Sequence, residues 1–245
     1  MSSAPPDLTS RILRHERALV AATLVALTAL GWWYVAAQAA GSPEAMGAMR
    51  TPPFGALVVM WWLMMAAMML PSAAPAILLY ARVRAMRSRD SAIAESWIFL
   101  AGYLLLWLAF SVFAAFAQVL TGTSMALGSS VAQAALLIAA GLYQLSPLKS
   151  ACVSECRSPG QFISRHWRRG IDGAIRLGVR HGLYCLGCCW LLMALLFVGG
   201  VMNLLWIVGL TLIVAIEKLA PRGQLVGRAA GIALCVWGGA KLAGF

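Results

Sequence analysis

The run "IRLGVRHGLYCLGCCWLLMALLFV" (Ile175–Val198) holds no acidic residue, and its only full charges, Arg176 and Arg180, stand near its start. Its length meets the roughly 20 apolar residues needed to cross a bilayer's hydrocarbon. Backbone polar groups in lipid must be satisfied within the segment, so such a run is a helix rather than an open strand. The same pattern recurs along the chain, and period-2 alternation of the kind a membrane barrel requires is absent. Seven spans are expected, at about Ala18–Ala40, Phe54–Val83, Trp97–Leu120, Val131–Leu145, Ile175–Val198, Met202–Leu219 and Leu225–Leu242. The fourth is short and the last is rich in Gly and Ala.

Composition agrees. Apolar residues make up 62% of the 245, charged residues 11%, and the mean hydropathy is +0.83. A soluble domain carries about a quarter charged residues. The expectation is an all-α polytopic bundle forming one integral membrane domain over residues 1–245, with no soluble module.

Basic residues set the orientation, because cytoplasmic loops carry the excess of Lys and Arg. Arg11, Arg14 and Arg17 precede the first span, and Arg82, Arg84, Arg87 and Arg89 lie around the second connection. Lys149, Arg157, Arg165, Arg168, Arg169, Arg176 and Arg180 flank the fourth, and Lys218, Arg222 and Arg228 the sixth. Together these are 17 of the 19 basic residues, against Arg50 and Lys241 on the opposite side. The N-terminus is expected in the cytoplasm and the C-terminus outside, as in a bacterial inner membrane protein. The net charge of +11 is thereby a matter of topology. Nucleic acid is not an expected partner, since the basic loops lack aromatic stacking interleaved with charge. The first span ends in Ala37-Gln38-Ala39 like a signal peptide, but its apolar stretch exceeds the 7–15 residues of a signal core and reads as a retained anchor.

Inside the opening run, His181, Cys185, Cys188 and Cys189 fall within an arc of roughly 100° on one helix face. Residues four apart can ligate one ion from a single helix. The four rise about 10–12 Å, which suits two adjacent sites or one completed from elsewhere. Cys152 and Cys156 repeat the spacing of four in the connection between the fourth and fifth spans, where Pro147 and Pro159 limit "ACVSEC" to one or two helical turns. If that connection folds back, these thiols meet His181 and Cys185 at the cytoplasmic mouth. Thiolate and imidazole ligands suit copper(I) or zinc.

Five of the ten residues from Met60 to Met69 are Met, and Met60, Met64 and Met68 share an arc of about 80°. Thioethers are soft ligands that favour copper(I). Soft groups thus descend from methionine through mid-membrane cysteine to cysteine and histidine, the order expected of a copper pathway. Methionine and free cysteine are also ordinary packing residues, and Cys235, with no Cys, His or Met one turn away, is expected to be one. Pro71 and Pro75 are expected to bend the second span. Glu217 is expected to pair with Arg180, to act as a proton or cation partner, or to form an interfacial ion pair. Gln118, Gln133 and Gln144 are expected to join helices.

"MWWLMMAAMMLPSAAP" (Met60–Pro75), "LSPLKSACVSECRSP" (Leu145–Pro159), "GLYCLGCCWLLM" (Gly182–Met193) and "EKLAP" (Glu217–Pro221) together resemble a bacterial family of predicted metal-binding integral membrane proteins, a domain of unknown function. The resemblance covers nearly everything from the second span onward and implies metal binding. Three functions are open at this point. One is a metal-handling protein that transports or delivers copper(I), with a metallochaperone or a metalloenzyme assembly partner. Another is a membrane thiol–disulfide oxidoreductase built on Cys185-x-x-Cys188. The last is a non-catalytic assembly factor whose cysteines pack.

Overall fold

The structure, a computed structural model, describes residues 8–40, 52–87, 92–121 and 127–244. Arg50 and Arg89, both used in the charge tally, lie outside the described residues. Helices form wherever the apolar runs predict them: α1 (Leu8–Ala39), α2 (Phe54–Arg87), α3 (Ala92–Leu120), α4 (Ser130–Gln144), α7 (Gly170–Ala194), α9 (Leu204–Leu219) and α10 (Gly223–Leu242). Shorter helices α5 (Pro147–Arg157) and α6 (Pro159–His166) connect α4 to α7, and the single turn α8 (Leu196–Gly199) extends α7. No strand occurs among the described residues.

Five helices are long and apolar enough to cross a membrane: Ala18–Ala39, Phe54–Met86, Ile93–Leu120, Gly170–Gly199 and Gly223–Leu242. A sixth is reached if α4 and α5, which meet at 62°, count as one broken span. The expected seven therefore depend on two short helices. Helix α4, at 15 residues, spans about 22 Å and α9, at 16, about 24 Å, both less than the roughly 30 Å of hydrocarbon.

α1, α2, α3 and α7 pack side by side in that order, α10 lies along α4, and α5 and α9 close the space beneath. Small residues set the tightest crossings, as they do between membrane helices. A Cβ at Gly178 would sit 2.1 Å from the Phe99 carbonyl oxygen, so α3 and α7 touch backbone to backbone. A Cβ at Gly141 would sit 2.7 Å from the Gly231 oxygen and 2.5 Å from Cys235 Sγ, which makes Cys235 a packing residue of the α4–α10 seam.

The helix ends sort into two groups. At one end Arg84 pairs with Glu95, and Lys149 donates to Glu217 at 2.6 and 2.8 Å. Arg157 caps α9 there, donating to the carbonyls of Glu217 at 2.6 Å and Pro221 at 2.9 Å. At the other end Trp61 donates to Gln118 at 2.7 Å, Phe197 packs on Trp61, and Lys241 reaches Gln133 at 2.5 Å. The three glutamines join helices as expected.

Three local expectations need correction. Glu217 pairs with Lys149 and Gln144, whereas Arg180 is exposed. "ACVSEC" lies in an 11-residue helix of about three turns, longer than the two turns expected. The prolines start helices here instead of bounding them: Pro147 and Pro159 both occupy first-turn positions, where the missing N–H is not needed. Pro71 and Pro75, by contrast, lie inside the second span as read, within α2, and the Ser72 hydroxyl donates to the Met69 carbonyl there at 2.9 Å.

Candidate metal centre

The cysteine face of α7 points into the bundle. Cys185, Cys188 and Cys189 are each 1% exposed, and Trp190, off that face, is 40% exposed. Apolar packing alone would place such a face inward, but the neighbours are not all apolar. The thiols of Cys188 and Cys189 each donate to the Cys185 carbonyl at 3.0 Å. Tyr103 Oη from α3 lies 3.1 Å from Cys185 Sγ.

α5 folds back on α7, as the repeated spacing predicts, but it meets that helix further along than His181. The Cys156 side chain lies beside that of Cys188. A Cβ at Gly187 would lie 2.9 Å from Cys152 Sγ, so glycine at that position makes room for the thiol. Tyr143 holds the same turn by donating to the Gly187 carbonyl. Cys156, Cys185, Cys188 and Cys189 thus form one thiol cluster, with Cys152 at its rim.

His181 stands apart from those sulfurs. Its ring lies among Phe162, Tyr103 and Phe99, at centroid distances of 5.2, 5.8 and 6.0 Å, and its buried Nδ1 has no hydrogen-bond partner among the described residues. Met60, Met64 and Met68 are all buried in the core of α2. The thioether that reaches the cluster is Met69, whose sulfur is 3.8 Å from Cys189 Sγ. Sequence spacing points to the face of Met60, and Met69 lies on the other side of that helix. Its only signal in the sequence is membership of the Met68-Met69 pair.

Lys218 is the second residue that spacing does not reveal. From the last turn of α9 its Nζ donates to Cys185 Sγ at 3.0 Å and to Ser72 Oγ at 3.2 Å. The residue is 6% exposed. A lysine at the end of an apolar helix ordinarily reaches toward water; this one points inward, because Glu217 beside it is bound to Lys149.

The donors are chemically suited to a soft cation: four thiols, one thioether and an ammonium that supplies positive charge beside them. Among the described residues no three His, Cys, Asp or Glu side chains are disposed to hold one ion. Cys188 sits at the centre of the group, its side chain beside those of Cys156, Cys185 and Cys189.

A family model, PpoB2, described as a copper chaperone, matches residues 58–241, which is 184 of 245. The chain belongs to that copper chaperone family. The match begins in α2 and ends in α10, so it takes in every sulfur described above. It agrees with the metal-binding resemblance in the sequence and makes the metal-related role one of copper handling. No curated protein and no solved structure matches the chain.

Proposed function

We propose that this protein takes copper(I) as cargo within a bacterial inner membrane and moves it across, or hands it to a metallochaperone or a metalloenzyme being assembled. In this reading residues 1–245 form one membrane domain of seven crossings, N-terminus in the cytoplasm and C-terminus outside. Met60, Met64 and Met68 offer weak exchangeable sites, and Cys185 and Cys189 the tight one. Cys156, Cys152 and His181 lie toward the cytoplasmic end as further ligands.

One observation carries the proposal: thiols from α5 and α7 converge, with Met69 against them, inside a bundle whose other buried residues are largely apolar. Coordination explains thiols at that depth, since a bound cation neutralises the charge that their ionisation creates. Copper(I) is favoured over zinc because soft sulfur ligands suit it, whereas structural zinc takes four ligands and no three such side chains among the described residues are disposed to hold one ion. A thiol–disulfide exchange role is disfavoured by access. An exchanging thiolate must reach its partner's sulfur, and Cys185 and Cys188 are 1% exposed.

The test is copper content after anaerobic purification. Cys185→Ser and Cys189→Ser should each lose the copper that the wild type retains, and Cys235→Ser, in the α4–α10 seam, should keep it. Equal copper in all three variants removes the site assignment. A wild type that holds no copper removes the function.

A further inference from the structure

The inward-pointing Lys218 has no role in a plain thiol site. An ammonium is among the costliest groups to bury unless an anion accompanies it. Among the described residues no ion pair includes Lys218: the carboxylate of Glu217 is bound by Lys149, and that of Glu95 by Arg84. Its hydrogen-bond partners are a hydroxyl and a thiol, Ser72 and Cys185. Cys188, Cys189, Cys156, Tyr103, His181 and the Lys149-bound Glu217 also lie within its electrostatic reach.

We infer that Lys218 is a specificity-determining residue: its charge balances one copper(I) ion held between the thiolates of Cys185 and Cys189. The inference rests on the copper reading above. The charges sum as follows. Copper enters with one positive charge, and each of the two thiols releases a proton to solvent. The two-thiolate complex therefore carries one negative charge. Lys218 cancels it, and the buried centre becomes neutral. A divalent ion between the same thiolates leaves one positive charge uncompensated in the bundle, an unfavourable state at low dielectric.

Geometry favours the same pair. Cys185 and Cys189 are four apart on one helix face, and the lysine donates to Cys185 Sγ at 3.0 Å. Met69 flanks Cys189, and Cys188 lies beside Cys156 of α5 as well as Cys185 and Cys189. Two-coordinate binding is natural for copper(I) and poor for zinc, which takes four ligands in structural sites.

The experiment uses the full chain in detergent, with copper(I) in competition with a cuprous chelator and X-ray absorption at the copper edge. The wild type should show two sulfur ligands. Lys218→Leu should bind copper(I) at least about a hundredfold more weakly, the scale of an uncompensated buried charge. Lys218→Arg, which keeps the charge, should recover most of the affinity. A Leu variant that binds as tightly as the wild type overturns the inference and leaves the copper reading standing. So does a wild-type centre with three or more sulfurs. If the Leu variant does not fold, the wild-type sulfur count and the Arg variant's affinity decide. A wild type without copper overturns both this inference and the reading beneath it.

Discussion

Glu217 and Lys218 are adjacent in sequence and face opposite partners: the carboxylate of Glu217 accepts from Lys149 at 2.6 Å, and the ammonium of Lys218 donates to Cys185 Sγ at 3.0 Å. Successive residues on a helix are about 100° apart, so the last turn of α9 can serve two sites at once. On one side it ties α5 in place through Lys149. On the other it delivers a positive charge to the thiols. The short helix α9 thereby joins the element carrying Cys156 to the element carrying Cys185.

The tie between Glu217 and Lys149 makes a stability prediction. Both side chains are under 5% exposed, and Gln144 bridges them. Lys149→Leu leaves a buried carboxylate with only an amide for company. That should cost about 3–5 kcal/mol, the usual penalty for removing one member of a buried pair. The double variant Lys149→Leu/Glu217→Leu should recover most of the loss. Thermal unfolding in detergent reads both. If the single and double variants are equally destabilised, packing around Lys149 matters and its charge does not.

The apolar helices were legible in the sequence because hydropathy over 20 residues is a strong signal in lipid. The cysteine face of α7 was legible as well, since spacings of three and four on a helix fix a common side. Three features were not. The sequence suggests Arg180 or another interfacial charge as the partner of Glu217 and none for Lys218, because nothing in "EKLAP" reveals that Lys149, 68 residues away, occupies the carboxylate. Met69 was hidden because α2 is buried on most of its faces, so helical phase alone could not choose among five methionines. The length of α5 was underestimated because a proline that opens a helix and one that ends it look alike until the cap is seen: the Ser146 side chain accepts from the Lys149 N–H at 3.2 Å.

Topology is a second prediction, and the short helices make it discriminating. With the N-terminus inside, five or seven crossings place the C-terminus outside, and six place it inside. Basic residues divide 17 to 2, which favours the outside location. A reporter fused after Phe245 should be active only outside, and one inserted near Gly170, between α6 and α7, only in the cytoplasm. Cytoplasmic activity after Phe245 would mean that α4 and α5 form one broken span and that α9 does not cross.

The last prediction separates a route from a store. Met60, Met64 and Met68 lie up to nine residues from Met69 along α2, a rise of about 13 Å. If copper passes along them to the thiols, they govern rate rather than final occupancy, because a neutral thioether binds more weakly than a thiolate. Replacing all three with leucine nearly conserves volume and apolarity, so stability should fall by less than about 1.5 kcal/mol per site. Copper held at the cysteines at equilibrium should be almost unchanged, while uptake into proteoliposomes should slow severalfold. Met69→Leu should behave differently. Its sulfur lies 3.8 Å from Cys189 Sγ, so this single substitution should slow uptake as much as the other three together, with copper still held by the two thiolates at equilibrium. Isoleucine is a poorer replacement at any of these positions, because its branched carbon changes the shape that the close-packed core accepts. Should the triple leucine variant take up copper at the wild-type rate, Met60, Met64 and Met68 are packing residues and the cargo reaches the thiols by another path. Should Met69→Leu lose its copper at equilibrium, the thioether is a third sulfur ligand and the two-thiolate centre is wrong.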